Sequence, residues 1–327
     1  MTGAFFVVGG GAVDYRMLGN TGIKVSRLCF GALTIGPLQA NLPLKQGAAV
    51  IDRAIEQGVN FIDTAELYRT YPYIRQAIKG RKDQVVICSK SYAYTRDGMQ
   101  KSLTDALRGI ERDYIDIFML HEQESLLTVK GHREALEVLL EAKNKGIVRA
   151  VGLSTHHVAA VLAAAELPEI EVIHPIINMS GVGIADGSVD DMLSAVRRAY
   201  RAGKGIYGMK ALGGGNLLAN AAAALSFVLE IPELSAVAVG MQNFAEVDYN
   251  VRFFSQSYIP EELKQQVIRQ PRRLHFEEWC QGCGACVAVC SAKALYLAGE
   301  QARVKTDLCR LCGYCGAACP MFAIKVI

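Results

Sequence analysis

Gln84-Val85-Val86-Ile87-Cys88-Ser89-Lys90 and Ile115-Asp116-Ile117-Phe118-Met119-Leu120-His121 are short, nearly continuous apolar runs, each closed by a polar residue. Between them, Gln100–Arg112 has helical periodicity. Strands apolar on both faces, alternating with amphipathic helices, mark a parallel sheet that helices cover. Working outward, Leu28–Ala32 and Asn60–Asp63 come before this pair, and Val148–Ser154, Glu171–Asn178, Gly205–Lys210 and Ser235–Gly240 come after it. Helical patterns separate them, clearest at His132–Lys145 and Asp190–Arg201. Eight such units over about 230 residues predict an α/β fold, a (β/α)8 TIM barrel, whose usual size is about 250 residues. An open doubly wound sheet is the alternative, but no G-x-G-x-x-G follows the first strand. Gly213-Gly214-Gly215, after the seventh strand, suits a phosphate-approaching loop or a tight turn.

Ahead of the barrel, Val13–Leu18 and Ile23–Ser26 flank Gly19-Asn20-Thr21-Gly22, a hairpin signal that would plug the barrel bottom. Ala4–Val8 is an extra strand or a tail. After Phe254 a linker carries one helix, Glu261–Arg269, and then Arg272-Arg273, expected as a solvated turn. The composition changes near Leu274. The expected division is therefore a barrel over residues 1–255, with 1–13 an added tail, a linker over 256–273, and a small C-terminal domain over 274–327.

Of the 327 residues, 51% are hydrophobic and 20% charged, which suits a globular protein of one large and one small domain. A net charge of +3 argues against nucleic acid or a membrane surface as partner. No apolar run reaches the roughly 18 to 20 residues of a spanning helix. The N-terminal stretch lacks the basic lead-in of a signal peptide. A cytoplasmic protein is expected.

Of ten cysteines, only Cys29 and Cys88 precede residue 280, and both lie in expected strands as small core residues. The rest form Cys280-x2-Cys283-x2-Cys286-x3-Cys290 and Cys309-x2-Cys312-x2-Cys315-x3-Cys319-Pro320, two halves offset by 29 residues. A disulfide framework would be spread evenly in an exported chain. Zinc takes four ligands, commonly from two separated C-x2-C pairs, and leaves a third evenly spaced cysteine without a role. The spacing is that of bacterial ferredoxins with two 4Fe–4S clusters, in which the fourth cysteine of each run serves the other cluster. One cluster would take Cys280, Cys283, Cys286 and Cys319, the other Cys309, Cys312, Cys315 and Cys290. A small α+β dicluster ferredoxin-like domain follows. Gly282, Gly284, Gly313 and Gly316 let backbone N–H groups approach the sulfurs. Ser291 follows Cys290 where Pro320 follows Cys319 in the second run, and it alters a turn and no ligand.

Asn60-Phe61-Ile62-Asp63-Thr64-Ala65-Glu66-Leu67-Tyr68 resembles the strand-two motif of the aldo-keto reductase family. Val86–Lys90, Ile117–His121 and Gly152-Leu153-Ser154 resemble that family's endings of strands three, four and five. The likeness covers roughly residues 14 to 255, and the order and spacing of the four pieces carry it. It implies a catalytic tetrad of Asp63, Tyr68, Lys90 and His121. The chemistry is sensible for these residue types at the C-terminal strand ends, where barrel active sites form. Reduction of a carbonyl leaves charge on oxygen, and Tyr68 can donate the proton. An unperturbed phenol near pKa 10 is a reluctant acid, so Lys90 is expected to lower it towards neutral. Asp63 would hold Lys90 charged, and His121 would orient the substrate oxygen. A lone ion pair would be structural; four such residues at successive strand ends suggest a site.

The resemblance also implies a nicotinamide cofactor, NAD(H) or NADP(H), held by Gly31, Ser154, His174, Lys210, Gly240, Gln242, Glu246 and Asn250. His174 stands where the family usually has glutamine, Thr155 where it has asparagine, and Met209 where an aromatic ring stacks on the nicotinamide. In Gly240–Asn250, members that prefer NADPH carry cations where this chain has Gly240 and Glu246. Glu246 would repel a 2′-phosphate and accept from a 2′-hydroxyl, so NADH is favoured over NADPH, unless Lys210 compensates. His132, His156, His157 and His275 are expected at the surface or in loops.

The expected function is a nicotinamide-dependent oxidoreductase acting on a carbonyl or alcohol of a small molecule, with two clusters for electron transfer. Hydride moves two electrons together, whereas these clusters pass one at a time, and no flavin site is evident. One alternative is a ferredoxin-linked reductase that uses the barrel site, with a ferredoxin or flavoprotein as electron partner. Another is a non-enzymatic redox-sensing module.

Overall fold

The structure, a computed structural model, describes residues 13–327. The expected N-terminal strand or tail at Ala4–Val8 lies outside the described residues. Strands β1 (Tyr15–Met17) and β2 (Lys24–Ser26) form an antiparallel hairpin. There follow β3 (Leu28–Gly31), β4 (Phe61–Asp63), β5 (Val86–Ser91), β6 (Ile115–Leu120), β7 (Val148–Thr155), β8 (Val172–Pro175), β9 (Gly205–Gly208) and β10 (Ala236–Gly240). These eight close a parallel barrel in chain order, β10 returning to β3 with Val237 opposite Leu28.

The period-two alternation of strand side chains sorts each strand between two cores. Cys29, Phe61, Val86, Cys88, Ile117, Met119, Ala150, Val172, Tyr207 and Ala236 fill the barrel, joined by Leu18, Ile23 and Val25 of the hairpin. Leu28, Phe30, Ile62, Ile87 and Phe118 point outward to the helices. The hairpin thus seals the N-terminal end, and the polar residues at the strand C-termini are left for the opposite mouth. Helices over Arg96–Ile110, Arg133–Asn144 and Val189–Arg201 cover the sheet. The last begins with a capping box, Ser188 with Asp191, which satisfies two otherwise orphaned N–H groups.

After the helices Phe244–Phe254 and Glu261–Ile268, the small domain pairs β11 (Leu274–Phe276) with β14 (Ile324–Val326). It also pairs β12 (Leu295–Ala298) with β13 (Gln301–Val304). Its two short helices, Ala285–Ala288 and Tyr314–Ala317, each follow a left-handed glycine, Gly284 (φ 80°) and Gly313 (φ 83°). A side chain at Gly313 would also meet Asn216 O at 2.3 Å, so the glycine serves both the turn and the contact with the barrel.

The small domain sits on the C-terminal mouth of the barrel. Asn216 Nδ2 donates to Ile324 O at 3.1 Å. Arg273 and Ile327 exchange backbone hydrogen bonds of 2.8 and 2.9 Å, tying the linker to the last residue. Among the described residues, no helix is long and apolar enough to cross a membrane.

Candidate active site and metal centres

Asp63 ends β4, Lys90 lies near the end of β5, and His121 follows β6, so adjacent strands deliver three polar groups to one mouth. Tyr68 closes the 3-10 turn Glu66–Tyr68, folded back over the strand ends. Lys90 is 1% exposed and donates to Asp63 Oδ2 and to Thr64 O, both at 2.8 Å. Its Nζ lies 5.2 Å from the Tyr68 ring centre. The His121 ring stands edge-on to Tyr68 at 5.8 Å and stacks on Tyr92 at 4.3 Å. The structure therefore brings all four together.

Asp63 has a second donor, one that no local sequence signal marks. Tyr207 OH, fully buried on β9, donates to Asp63 Oδ1 at 2.8 Å. The Tyr207 ring stacks on His174 at 3.8 Å, and His174 Nδ1 meets Tyr207 O at 2.7 Å. His174 Nε2 is 3.7 Å from Asp63 Oδ1. His174 and Tyr207 brace the carboxylate from inside the barrel. Tyr207 reads in sequence only as one more bulky strand residue, so no local signal separates it from core.

The charges follow from burial set against this ion pair. Burial is the largest single influence on the Lys90 amine and pushes it down, but Asp63, Tyr68 and Cys88 together outweigh it and hold the ammonium above the usual lysine range. His121 is driven well below its ordinary value by burial, with Lys90 and Lys210 adding repulsion, so it is neutral at pH 7. Its Nδ1 is a buried atom without a hydrogen-bond partner among the described residues. Tyr68 corrects an expectation. Lys90 does lower its pKa, but desolvation is the larger effect and leaves the phenol above its ordinary value. Only part of the Tyr68 surface is covered, yet the phenol lies among enough protein for burial to outweigh the Lys90 ammonium, 5.2 Å from its ring centre.

In the small domain, one pocket is lined by Cys280, Cys283, Cys286 and Cys319, and a second by Cys290, Cys309, Cys312 and Cys315. Among the described residues, no three His, Cys, Asp or Glu side chains converge as ligands of a single metal ion do. Four thiols spaced around a hollow suit a cubane rather than a lone zinc. Backbone N–H groups of Ala302, Ala294 and Ala323 donate to the sulfurs of Cys280, Cys290 and Cys319 at 3.5, 3.3 and 3.3 Å. Such bonds stabilise thiolate charge. Cys29 and Cys88 lie in the barrel core, with Tyr207 OH 3.0 Å from the Cys88 sulfur.

The tail reaches the barrel mouth through Phe322. Its ring lies 6.1 Å from that of His156 and 5.0 Å from Lys210 Nζ. Lys210 Nζ meets His156 Nε2 at 2.6 Å. His156, expected at the surface or in a loop, lies in the bend after β7, and the tail covers it there, so that it forms a wall of the site. Lys325 is 5% exposed and packs over the Phe322 ring, 3.0 Å from its centre.

The aldo/keto reductase family model matches residues 27–222, and a 4Fe-4S dicluster domain model matches residues 274–320. The chain belongs to the aldo/keto reductase family and carries a 4Fe–4S dicluster domain. It is 26% identical over 183 residues to the aldo-keto reductase YhdN of Bacillus subtilis (strain 168), covering 51% of this chain and 54% of that protein. It therefore spans about half the length of that relative. It is 24% identical over 281 residues to the L-galactose dehydrogenase of Arabidopsis thaliana, covering 73% of this chain and 87% of that protein. Among solved structures, a putative aldo-keto reductase from Pseudomonas aeruginosa superposes with a TM-score of 0.64 at 24% identity. That match covers 76% of this chain and 96% of that one. This last likeness is one of fold.

The family uses nicotinamide cofactors, and the positions that the resemblance assigns to one are engaged within the chain. Ser154 Oγ accepts from Glu122 N at 2.9 Å, and His174 and Lys210 have the partners just described. Gly31 packs against Gly240, where a side chain would strike Thr34. Gln242 N donates to Glu246 Oε2 at 2.7 Å, and Asn250 Nδ2 to Glu246 O at 2.8 Å. The other oxygen of Glu246 is taken by the Arg272 guanidinium. Arg272 was expected in a solvated turn and the Glu246 region was expected to lack a cation; both expectations are corrected, because the linker folds back over the barrel. Gly213–Gly215, expected as a phosphate-approaching loop or a tight turn, form a 3-10 turn with φ of 56°, 62° and 85°, and the tail fills the space above it: a Cβ at Gly215 would lie 2.0 Å from Val326 O, and one at Gly214 would lie 2.7 Å from Lys325 Cδ. These residues do not fit a dinucleotide lying along this path while the tail is seated.

Proposed function

We propose that this chain is an iron–sulfur oxidoreductase that converts a small-molecule carbonyl and its alcohol at the Asp63–Tyr68–Lys90–His121 site. Cys280, Cys283, Cys286 and Cys319 would hold one 4Fe–4S cluster, and Cys309, Cys312, Cys315 and Cys290 the other. When bound, the clusters supply electrons one at a time from an external donor of the ferredoxin or flavoprotein class. The observation that carries the reading is the seat of the tail: Phe322, three residues after Cys319, packs on His156 and Lys210 at the barrel mouth.

Conversion of a carbonyl to an alcohol takes up two electrons and two protons. Neutral His121 donates a ring N–H to the substrate oxygen. Tyr68 gives the proton to that oxygen, and Lys90 stabilises the phenolate left behind. Asp63, held by Lys90 and Tyr207, fixes Lys90 in place. The second proton adds at carbon from water.

The nicotinamide reading keeps family membership in its favour. Its preference for NADH rested on Glu246 as an unopposed carboxylate and on Gly240 in place of the usual lysine, and the contact with Arg272 bears on the first of these alone. The source of the hydrogen on carbon separates the two routes. The anaerobic protein would be supplied with a reduced ferredoxin in D2O and a panel of simple aldehydes and ketones. Deuterium at the carbinol carbon is the expected result. Turnover only with NADH or NADPH, with protium transferred from the nicotinamide, would overturn the proposal. No turnover with either donor would favour a redox-sensing module.

A further inference from the structure

We infer that the linker and the C-terminal tail permanently occupy the dinucleotide path of the family, so that the assembled protein has no dinucleotide site on its barrel. Three contacts lie along that path. At the end nearest the tetrad, Phe322 covers Lys210 and His156. In the middle, the backbone carbonyl of Val326 takes the space above Gly215. At the far end, Arg272 neutralises Glu246, which is 4% exposed.

The middle contact decides the matter physically. A side chain can rotate away from an arriving phosphate, but a backbone carbonyl moves only with its strand. That strand, β14, is paired with β11 and anchored to the barrel through Asn216. Just ahead of it, Ala323 N donates to the Cys319 sulfur. Lifting the strand would therefore disturb a cysteine pocket. The linker and tail are also joined to each other by the paired backbone hydrogen bonds of Arg273 and Ile327. A free lid would lack these ties. The chain supplies its own arginine to its own acidic residue, where a cofactor's ribose would otherwise find a partner.

This inference concerns occupancy and does not depend on the electron route. The test is binding of NADH and NADPH to the anaerobically purified protein with its clusters, by equilibrium dialysis, together with hydrogen exchange of the same samples. No saturation below about 1 mM is expected, with unchanged exchange at residues 213–216, 240–250 and 322–327. Saturable binding that leaves those three segments unchanged would place the dinucleotide elsewhere and support the inference. Saturable binding that protects 213–216 or 240–250, or that raises exchange in 322–327, would overturn it. Absence of binding combined with no reduction from a ferredoxin would sink the proposed function and leave this inference intact.

Discussion

Tyr207 donates its hydroxyl hydrogen to Asp63 Oδ1 at 2.8 Å from the inside of the barrel, while Lys90 donates to Asp63 Oδ2 at the same distance. Asp63 is thus gripped by a neutral donor on β9 and a cation on β5. Tyr207→Phe keeps the ring stack on His174 and removes only the hydroxyl. A hydrogen bond to a charged group contributes about 1.5–3 kcal/mol, so a stability loss of that order is expected in urea. If Tyr207 positions Asp63 and Lys90, kcat should fall while KM stays nearly constant. An unchanged kcat beside the stability loss would make it a purely structural residue.

Tyr68→Phe removes the proposed proton donor. Loss of a general acid costs about 10²- to 10⁴-fold, and it should appear in kcat and kcat/KM alike. Cluster content should not change, because the turn Glu66–Tyr68 lies on the barrel. Full activity in the variant would mean that another group delivers the proton.

Anaerobically purified protein should contain about eight iron atoms and eight acid-labile sulfides per chain. Cys319→Ser should damage the cluster of the pocket shared with Cys280, Cys283 and Cys286, and leave the signal of the other. Stoichiometric zinc without sulfide would end the iron–sulfur reading of the tail.

Arg272→Ala leaves the buried Glu246 carboxylate without its cation. Breaking a buried pair costs up to about 3–5 kcal/mol, and the remaining bond from Gln242 N should hold the loss to the lower part of that range. The double variant Arg272→Ala/Glu246→Gln should recover most of it. Thermal midpoints of the four proteins form the cycle, and additive losses would show that the two side chains are not coupled.

Lys325 supplies a pH dependence. Burial first, and repulsion from Lys210 second, hold its amine well below the ordinary lysine value of 10.5. Between the lowered folded value and the ordinary one, the unfolded chain binds the extra proton. Stability therefore rises with pH across that window. The thermal midpoint should increase between pH 7 and pH 9 in the wild type, and Lys325→Met should flatten the rise. Equal slopes would place the titrating group elsewhere.

The sequence alone was enough for the barrel and for the cysteine tail. Eight doubly apolar runs have few other solutions, since each must be buried on both faces, and the two C-x2-C-x2-C-x3-C runs impose ligand spacing through the backbone itself. Asp63, Lys90 and His121 were legible because strand ends are local features that a parallel barrel carries to one mouth. Only the tertiary structure decided the rest. Tyr207 is separated from Asp63 by 144 residues, and nothing near it in sequence marks its hydroxyl as a partner. Arg272 looked solvated because its acceptor, Glu246, is brought to it by the linker's return across the barrel. His156 became part of the site only when Phe322 covered it. The phenol of Tyr68 turned the other way from its expected shift because desolvation depends on everything packed around a group, whereas the sequence displays only the nearby charge. Local pattern specifies elements and ligand runs; long-range packing decides which charges meet, and what fills the space between them.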